Sequence, residues 1–155
     1  MISRRLYPLC AMVISLTATA AQPQVVKADD LTISAAWSHA TAAGTTSGAV
    51  YFTIENAGKQ LETLLRASSP VAGEVIFHRT TGPAGALQME QLWTIDLVPG
   101  RTVKFEPGAR HVMLNDLTGP LMAGTVVPIT LQFQHAGAVT LQVQVVPAGA
   151  DGPPG

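Results

Sequence analysis

Val126-Val127-Pro128-Ile129-Thr130-Leu131-Gln132-Phe133-Gln134-His135-Ala136-Gly137-Ala138-Val139-Thr140-Leu141-Gln142-Val143-Gln144-Val145-Val146 decides the fold. Ile129, Leu131 and Phe133 alternate with Thr130, Gln132 and Gln134, and Leu141, Val143 and Val145 repeat the pattern beyond the Ala136-Gly137 turn. Successive side chains of a strand point to opposite faces, so this period of two reads as two half-buried strands joined by a tight turn. Working outward, further candidate strands lie at 31–37, 48–56, 60–68, 71–78, 87–93, 102–105 and 111–117. Turn signals separate them at Asn56-Ala57-Gly58, Gly82-Pro83, Pro99-Gly100, Pro107-Gly108 and Gly119-Pro120. Many short strands with no helical stripe predict an all-β, antiparallel sandwich or barrel.

At 155 residues, 47% hydrophobic and 12% charged, the chain has apolar material for one core and needs no second domain. The predicted domain spans 31–146, preceded by a linker at 21–30. It is followed by a Pro/Gly-rich tail at 147–155 that reads as disordered. No internal repeat is visible.

Residues 1–20 read as a cleaved secretory signal. Arg4 and Arg5 supply a basic start, 6–17 an apolar stretch, and Ala18-Thr19-Ala20 a small-residue cleavage site. The apolar stretch is too short, and too interrupted by Pro8, Ser15 and Thr17, for a membrane span of roughly 20 residues. Export to the periplasm is the expectation. The one cysteine, Cys10, lies in the signal, and bulky Tyr7, Pro8 and Leu9 before it make a poor lipid-attachment site. The mature chain then has no thiol, which excludes disulfides, thiolate-bound zinc, blue copper and cysteine nucleophiles. Without Arg4 and Arg5, seven basic residues face ten acidic ones, a balance that suggests no nucleic-acid partner.

The mature chain keeps four His and three Met, and four of those seven form one pattern. His78 is followed after ten residues by Met89, then after twenty-one by His111, with Met113 two positions on. Two imidazoles and two thioethers make a soft ligand set that suits Cu(I). Taken singly, a Met is core filler and a His a satisfied polar residue; the joint spacing points to a metal. Residues two apart on a strand share a face, so His111 and Met113 project together, Cα atoms about 6.6 Å apart, while Val112 and Leu114 enter the core. His78 ends its predicted strand and Met89 lies on the next. The two are expected to meet across a hairpin, placing the site at one end of the sandwich. Arg79 and Arg110 flank the histidines and suit an acidic docking face on an acceptor, or are ordinary solvated charges. Met122 and His135 read as turn residues, and Trp37 and Trp93 as packing. No carboxylate pair or Ser/His/Asp arrangement supports an enzyme.

His78, Met89, His111 and Met113 match, without a gap, the signature of the periplasmic CuA copper chaperone family, which this chain resembles over roughly 31–146. Further likenesses are Ala36-Trp37, Ala40-Thr41, Ser47-Gly48-Ala49-Val50-Tyr51, Ala67-Ser68-Ser69-Pro70, Pro107-Gly108 and Gly119-Pro120-Leu121. The resemblance implies a cupredoxin-like Greek-key β-sandwich that binds Cu(I) near its surface. It also implies delivery of that copper to the CuA centre of cytochrome c oxidase subunit II, with a thiol-bearing assembly factor as a further partner. Three departures stand out. Arg79 occupies a position where many members have Met, His39 one where many have Arg, and the tail lacks the His- and Met-rich segment that helps some members bind Cu(II). His39 inherits no role and reads as a loop residue.

Thioethers favour Cu(I) over Cu(II), and acceptors rich in thiolates lie downhill, which gives transfer a direction. Three functions fit the chain. One is a copper chaperone for the oxidase; the second is a periplasmic copper scavenger or uptake protein with the same site; the third is an exported interaction module without metal.

Overall fold

The computed structural model describes residues 24–153. The predicted signal lies outside them. Eleven strands succeed one another along the chain: β1 (Val26–Ala28), β2 (Leu31–His39), β3 (Ser47–Asn56), β4 (Glu62–Ser68), β5 (Ala72–Thr81), β6 (Gln88–Leu92), β7 (Ile95–Leu97), β8 (Arg101–Phe105), β9 (Arg110–Leu117), β10 (Val126–Phe133) and β11 (Ala138–Val146). All nine strands read from the sequence are present, with ends moved by a few residues. β1 and β7 were not expected, because three residues carry too little alternation to register as a period. β1 falls inside the predicted linker, folding back on β2 with Val26 opposite Ile33 around a turn that holds Asp29 at φ 50°.

The strands form one continuous sheet in the order β6-β5-β9-β3-β2-β11-β10-β4-β7, with β1 added beside β2 and β8 beside β3. Every pairing is antiparallel except β11 with β2, which run parallel from Gln144 opposite Trp37. The sheet curls on itself until β4 and β5 lie alongside each other, so the architecture is a nearly closed, Greek-key, cupredoxin-like sandwich. The alternating residues of 126–146 face inward as expected: Ile129, Leu131, Phe133, Leu141 and Val143 are fully buried, against Val50, Phe52 and Ile54 of β3 and Val112 and Leu114 of β9. Burying a side chain of this size stabilises the fold by about 1.5–3 kcal/mol each before conformational entropy is counted.

A bulge in β2 sets which aromatic side chains reach the outer face. Ser34 lies opposite Thr53 but Trp37 opposite Tyr51, so Ala35 and Ala36 together face one residue of β3. Ala35 sits at φ 53°, in the left-handed region. This extra residue reverses the facing of the strand. Leu31 and Ile33 point into the core before it; Trp37 and His39 point to the outer face after it, stacked with Tyr51 at ring-centroid distances of 4.7 Å for Trp37 and 6.0 Å for His39. Trp37, Tyr51 and Val146 thereby form a second, smaller apolar cluster on the outside of the sheet.

The structure corrects one expectation. His39 is the last residue of β2 rather than a loop residue, and its Nε2 lies 2.9 Å from the carbonyl oxygen of Ala150. Ala150 lies against the outer cluster, and 151–153 beside Trp37 and Phe105. Apolar contact with Trp37 and Tyr51 is what draws this segment to the sheet.

Candidate metal centre

β6, β5 and β9 are consecutive neighbours in the sheet and set three columns of side chains on its outer face. On β9, Val112 and Leu114 are fully buried, so His111 and Met113 point outward, as the period-two reading requires. On β5, the burial of Phe77 turns His78 and Thr80 to the same face. The pairing register then makes His78 and His111 direct cross-strand partners, with Ile76 opposite Met113. Their rings stand edge to face with centroids 5.6 Å apart. Directly opposed side chains are the closest pairs a sheet offers, so two nitrogen donors distant in sequence become neighbours.

Met89 is placed less simply. It lies opposite Thr80, while Gln91 lies opposite His78. Met89 is therefore diagonal to His78 rather than across from it, and it is 63% exposed. Diagonal neighbours remain within reach of long side chains, and Met has three rotatable bonds. β5 continues three residues beyond His78, so this histidine does not end its strand. The donors lie on an outer sheet face, close to the loops at 82–87 and 106–109. Met89, His111 and Met113 line a shared cavity of about 350 Å³ together with Tyr51, Ala49 and Leu87.

His78 is held in the neutral form. Burial, and secondarily the neighbouring His111, push the His78 pKa below its ordinary value. A neutral ring is the form that ligates metal. His78 Nδ1 is buried without a hydrogen-bond partner among the described residues, an arrangement that costs free energy unless a ligand satisfies it. His111 Nδ1 lies 3.3 Å from the carbonyl oxygen of Ala109. A proton on Nδ1 donates to that oxygen and leaves the Nε2 lone pair free. No group of three or more His, Cys, Asp or Glu able to hold a metal exists among the described residues, so the thioethers are essential to any ligand set here.

Sequence reading missed the wall of the site. After Val50 opposite Val112, the next β3 position on the outer face is Tyr51, beside His111, and Trp37 is its partner on β2. Burial raises the Tyr51 pKa, so its hydroxyl is protonated. Trp37 is buried here, as packing requires, but Trp93 is not: at 79% exposure it packs in no core. Arg79 and Arg110 are cross-strand partners one position on from the histidines, so alternation turns them to the opposite side of the sheet, and Arg79 Nη2 is held 2.6 Å from Glu90 Oε2. Of the two readings of this pair, ordinary charges fit the placement better than a docking face beside the histidines, because neighbours in sequence on a strand face opposite ways.

Residues 31–145 match the LpqE-like family, described as "Putative lipoprotein LpqE-like". A relative from Leifsonia xyli subsp. xyli, named "Putative lipoprotein Lxx21020", is 31% identical over 126 residues, 81% of this chain and 75% of that protein. Among solved structures, the copper-bound PCuAC domain from PmoF2 superposes with a TM-score of 0.70 at 26% identity, covering 80% of this chain and 98% of that one. The Cu(I) form of DR1885 from Deinococcus radiodurans superposes with a TM-score of 0.58 at 27% identity, covering 79% and 80%. The cupredoxin-like sandwich is thus the fold of the PCuAC domains, and by the match across nearly all of that sandwich and the likeness to the Leifsonia protein, the chain belongs to the LpqE-like family.

Proposed function

We propose that this protein is an exported copper carrier that binds one Cu(I) through His78, Met89, His111 and Met113 and passes it to the CuA centre of cytochrome c oxidase subunit II. The observation that carries the reading is the direct opposition of His78 and His111, rings 5.6 Å apart, with Met113 on the same outer face. Likeness to a copper-bound PCuAC domain and to Cu(I)-DR1885 supports copper as the guest. Two thioethers favour the closed-shell, soft Cu(I) ion and make Cu(II) the weaker guest. The secretory signal read at 1–20 sends the protein to the periplasm, where this ligand set keeps copper reduced.

The site's position serves release as well as binding. A donor set on an outer face lets an acceptor ligand join the ion before the last donor leaves. Met89, exposed and flexible, is the donor that departs first, while His78 and His111 are anchored on adjacent strands. Thiolates bind Cu(I) more tightly than thioethers, so transfer to the CuA centre, or through a thiol-bearing assembly factor, runs downhill.

Anaerobic Cu(I) titration tests the binding: one equivalent is expected, weakened at least about tenfold, or 1.4 kcal/mol, in His111→Ala and in Met113→Ala. Unchanged binding in both variants removes the site. Mixing two equivalents of the Cu(I) protein with an apo CuA domain anaerobically, then removing one electron per centre with ferricyanide and following the purple mixed-valence CuA absorption, tests the delivery. A protein that binds but never delivers is a scavenger.

A further inference from the structure

The part of the face that carries the proposed copper donors has no charged side chain among its outward strand positions. From Met89 on β6 across β5 and β9 to Met113, the outward positions hold no Asp, Glu, Lys or Arg. The first outward acid along β5 is Glu74, which accepts a hydrogen bond from Asn115. Leu87 and Met89, which line the same cavity as His111 and Met113, stand exposed at 63% each, and Trp93, the residue just beyond the end of β6, at 79%. β6 is also an edge strand, paired only with β5.

Together these side chains leave roughly 400 Å² of apolar surface in water, within the range of a monomer's largest patch, which is often functional. A stable complex buries about 800 Å² on each partner, so this surface is too small for a permanent dimer and fits a brief encounter. Charge complementarity narrows the partner. A patch without charges desolvates cheaply against a surface that is also uncharged, and would strand any acid or base set against it.

Resting on the copper-delivery reading, we infer that Leu87 and Trp93 form a docking surface for the copper-accepting protein, which presents an uncharged, apolar surface around its own metal ligands. Docking is hydrophobic and transient, and does not use the Arg79 and Arg110 pair. Trp93 is neither a metal donor nor part of the cavity lining, so docking and binding can be separated at that residue.

The experiment compares wild type with Trp93→Ser, both loaded with one Cu(I), against two acceptors: the apo CuA domain of cytochrome c oxidase subunit II, and the small chelator bathocuproine disulfonate. Trp93→Ser is expected to keep its copper affinity and its transfer rate to the chelator, while delivery to the CuA domain slows tenfold or more. Delivery by wild type is expected to change no more than about twofold between low and high salt, since screening acts on charges, and a larger change overturns the uncharged docking surface. Wild-type delivery rates in Trp93→Ser overturn the docking surface and leave the delivery reading standing. Weakened copper affinity in Trp93→Ser also overturns it, because Trp93 would then belong to the site. A wild-type protein that binds copper and does not deliver it removes both the delivery reading and the docking surface.

Discussion

His78 combines burial with an unpartnered ring nitrogen, and both consequences are measurable. Its depressed pKa keeps it neutral to more acidic conditions than the ordinary His value of about 6.5, so proton competition at this donor begins below that pH. Cu(I) competition titrations across pH should show affinity held at neutrality and lost on acidification. Glu62 on β4, far from this site in the strand order, gives the contrasting case. Burial alone pushes its carboxyl up, but the backbone N–H groups of Thr63, Ala136 and His135, with His135 nearby, outweigh that and hold it below its ordinary value. A depressed carboxyl pKa contributes stability that is present above the unfolded value of about 4.3 and disappears as pH falls through the folded value. Glu62→Gln should cost about 1–3 kcal/mol in urea unfolding at neutral pH, with the difference shrinking toward acid. A constant difference down to acid pH would show that the charge is irrelevant.

β5, β6 and β9 carry the candidate donors, and the β2 bulge sets the aromatic wall of Trp37 and Tyr51 beside them. Ala35 occupies a left-handed conformation that glycine adopts without a steric penalty. Ala35→Gly should therefore leave stability unchanged or raise it by up to about 1 kcal/mol, whereas deleting Ala35 should remove the bulge and leave a regular strand with Trp37 still opposite Tyr51 on the outer face. Urea unfolding checks the first, and unchanged Trp37 fluorescence the second. Gly82 opens the hairpin at φ 101°, and a Cβ there would stand 2.5 Å from the Ala86 carbonyl oxygen. Gly82→Ala should distort the loop, displace Met89 and weaken Cu(I) binding while Ile129 and its neighbours stay folded. The strands themselves were readable because one buried face imposes strict alternation. The bulge was not, because Ala35-Ala36 suits either face, and nothing in a run of small residues marks where two of them oppose one.

For the molecule as a whole, the proposed metal binding would be linked to folding. A ligand that binds only the folded state at a hundred times its Kd adds about 2.7 kcal/mol, and about 1.4 kcal/mol when binding is tenfold weaker, so Cu(I) should raise the Tm of the wild type and that of His111→Ala by half as much or less. Calorimetry with and without anaerobic Cu(I) checks this. Leu131→Ala, at a fully buried position, should cost about 2–5 kcal/mol by opening a cavity. Of the candidate centre, the shared facing of His111 and Met113 was legible, since it is local to one strand. So was the all-β class, since alternation is local too. The opposition of His78 and His111, the diagonal position of Met89, the packing of the tail on Trp37 and the turning of Arg79 and Arg110 to the far side all depend on strand register and on a bulge. Those are set by which distant segments pair when the common core closes, an arrangement that hydrophobic periodicity within any one segment does not encode.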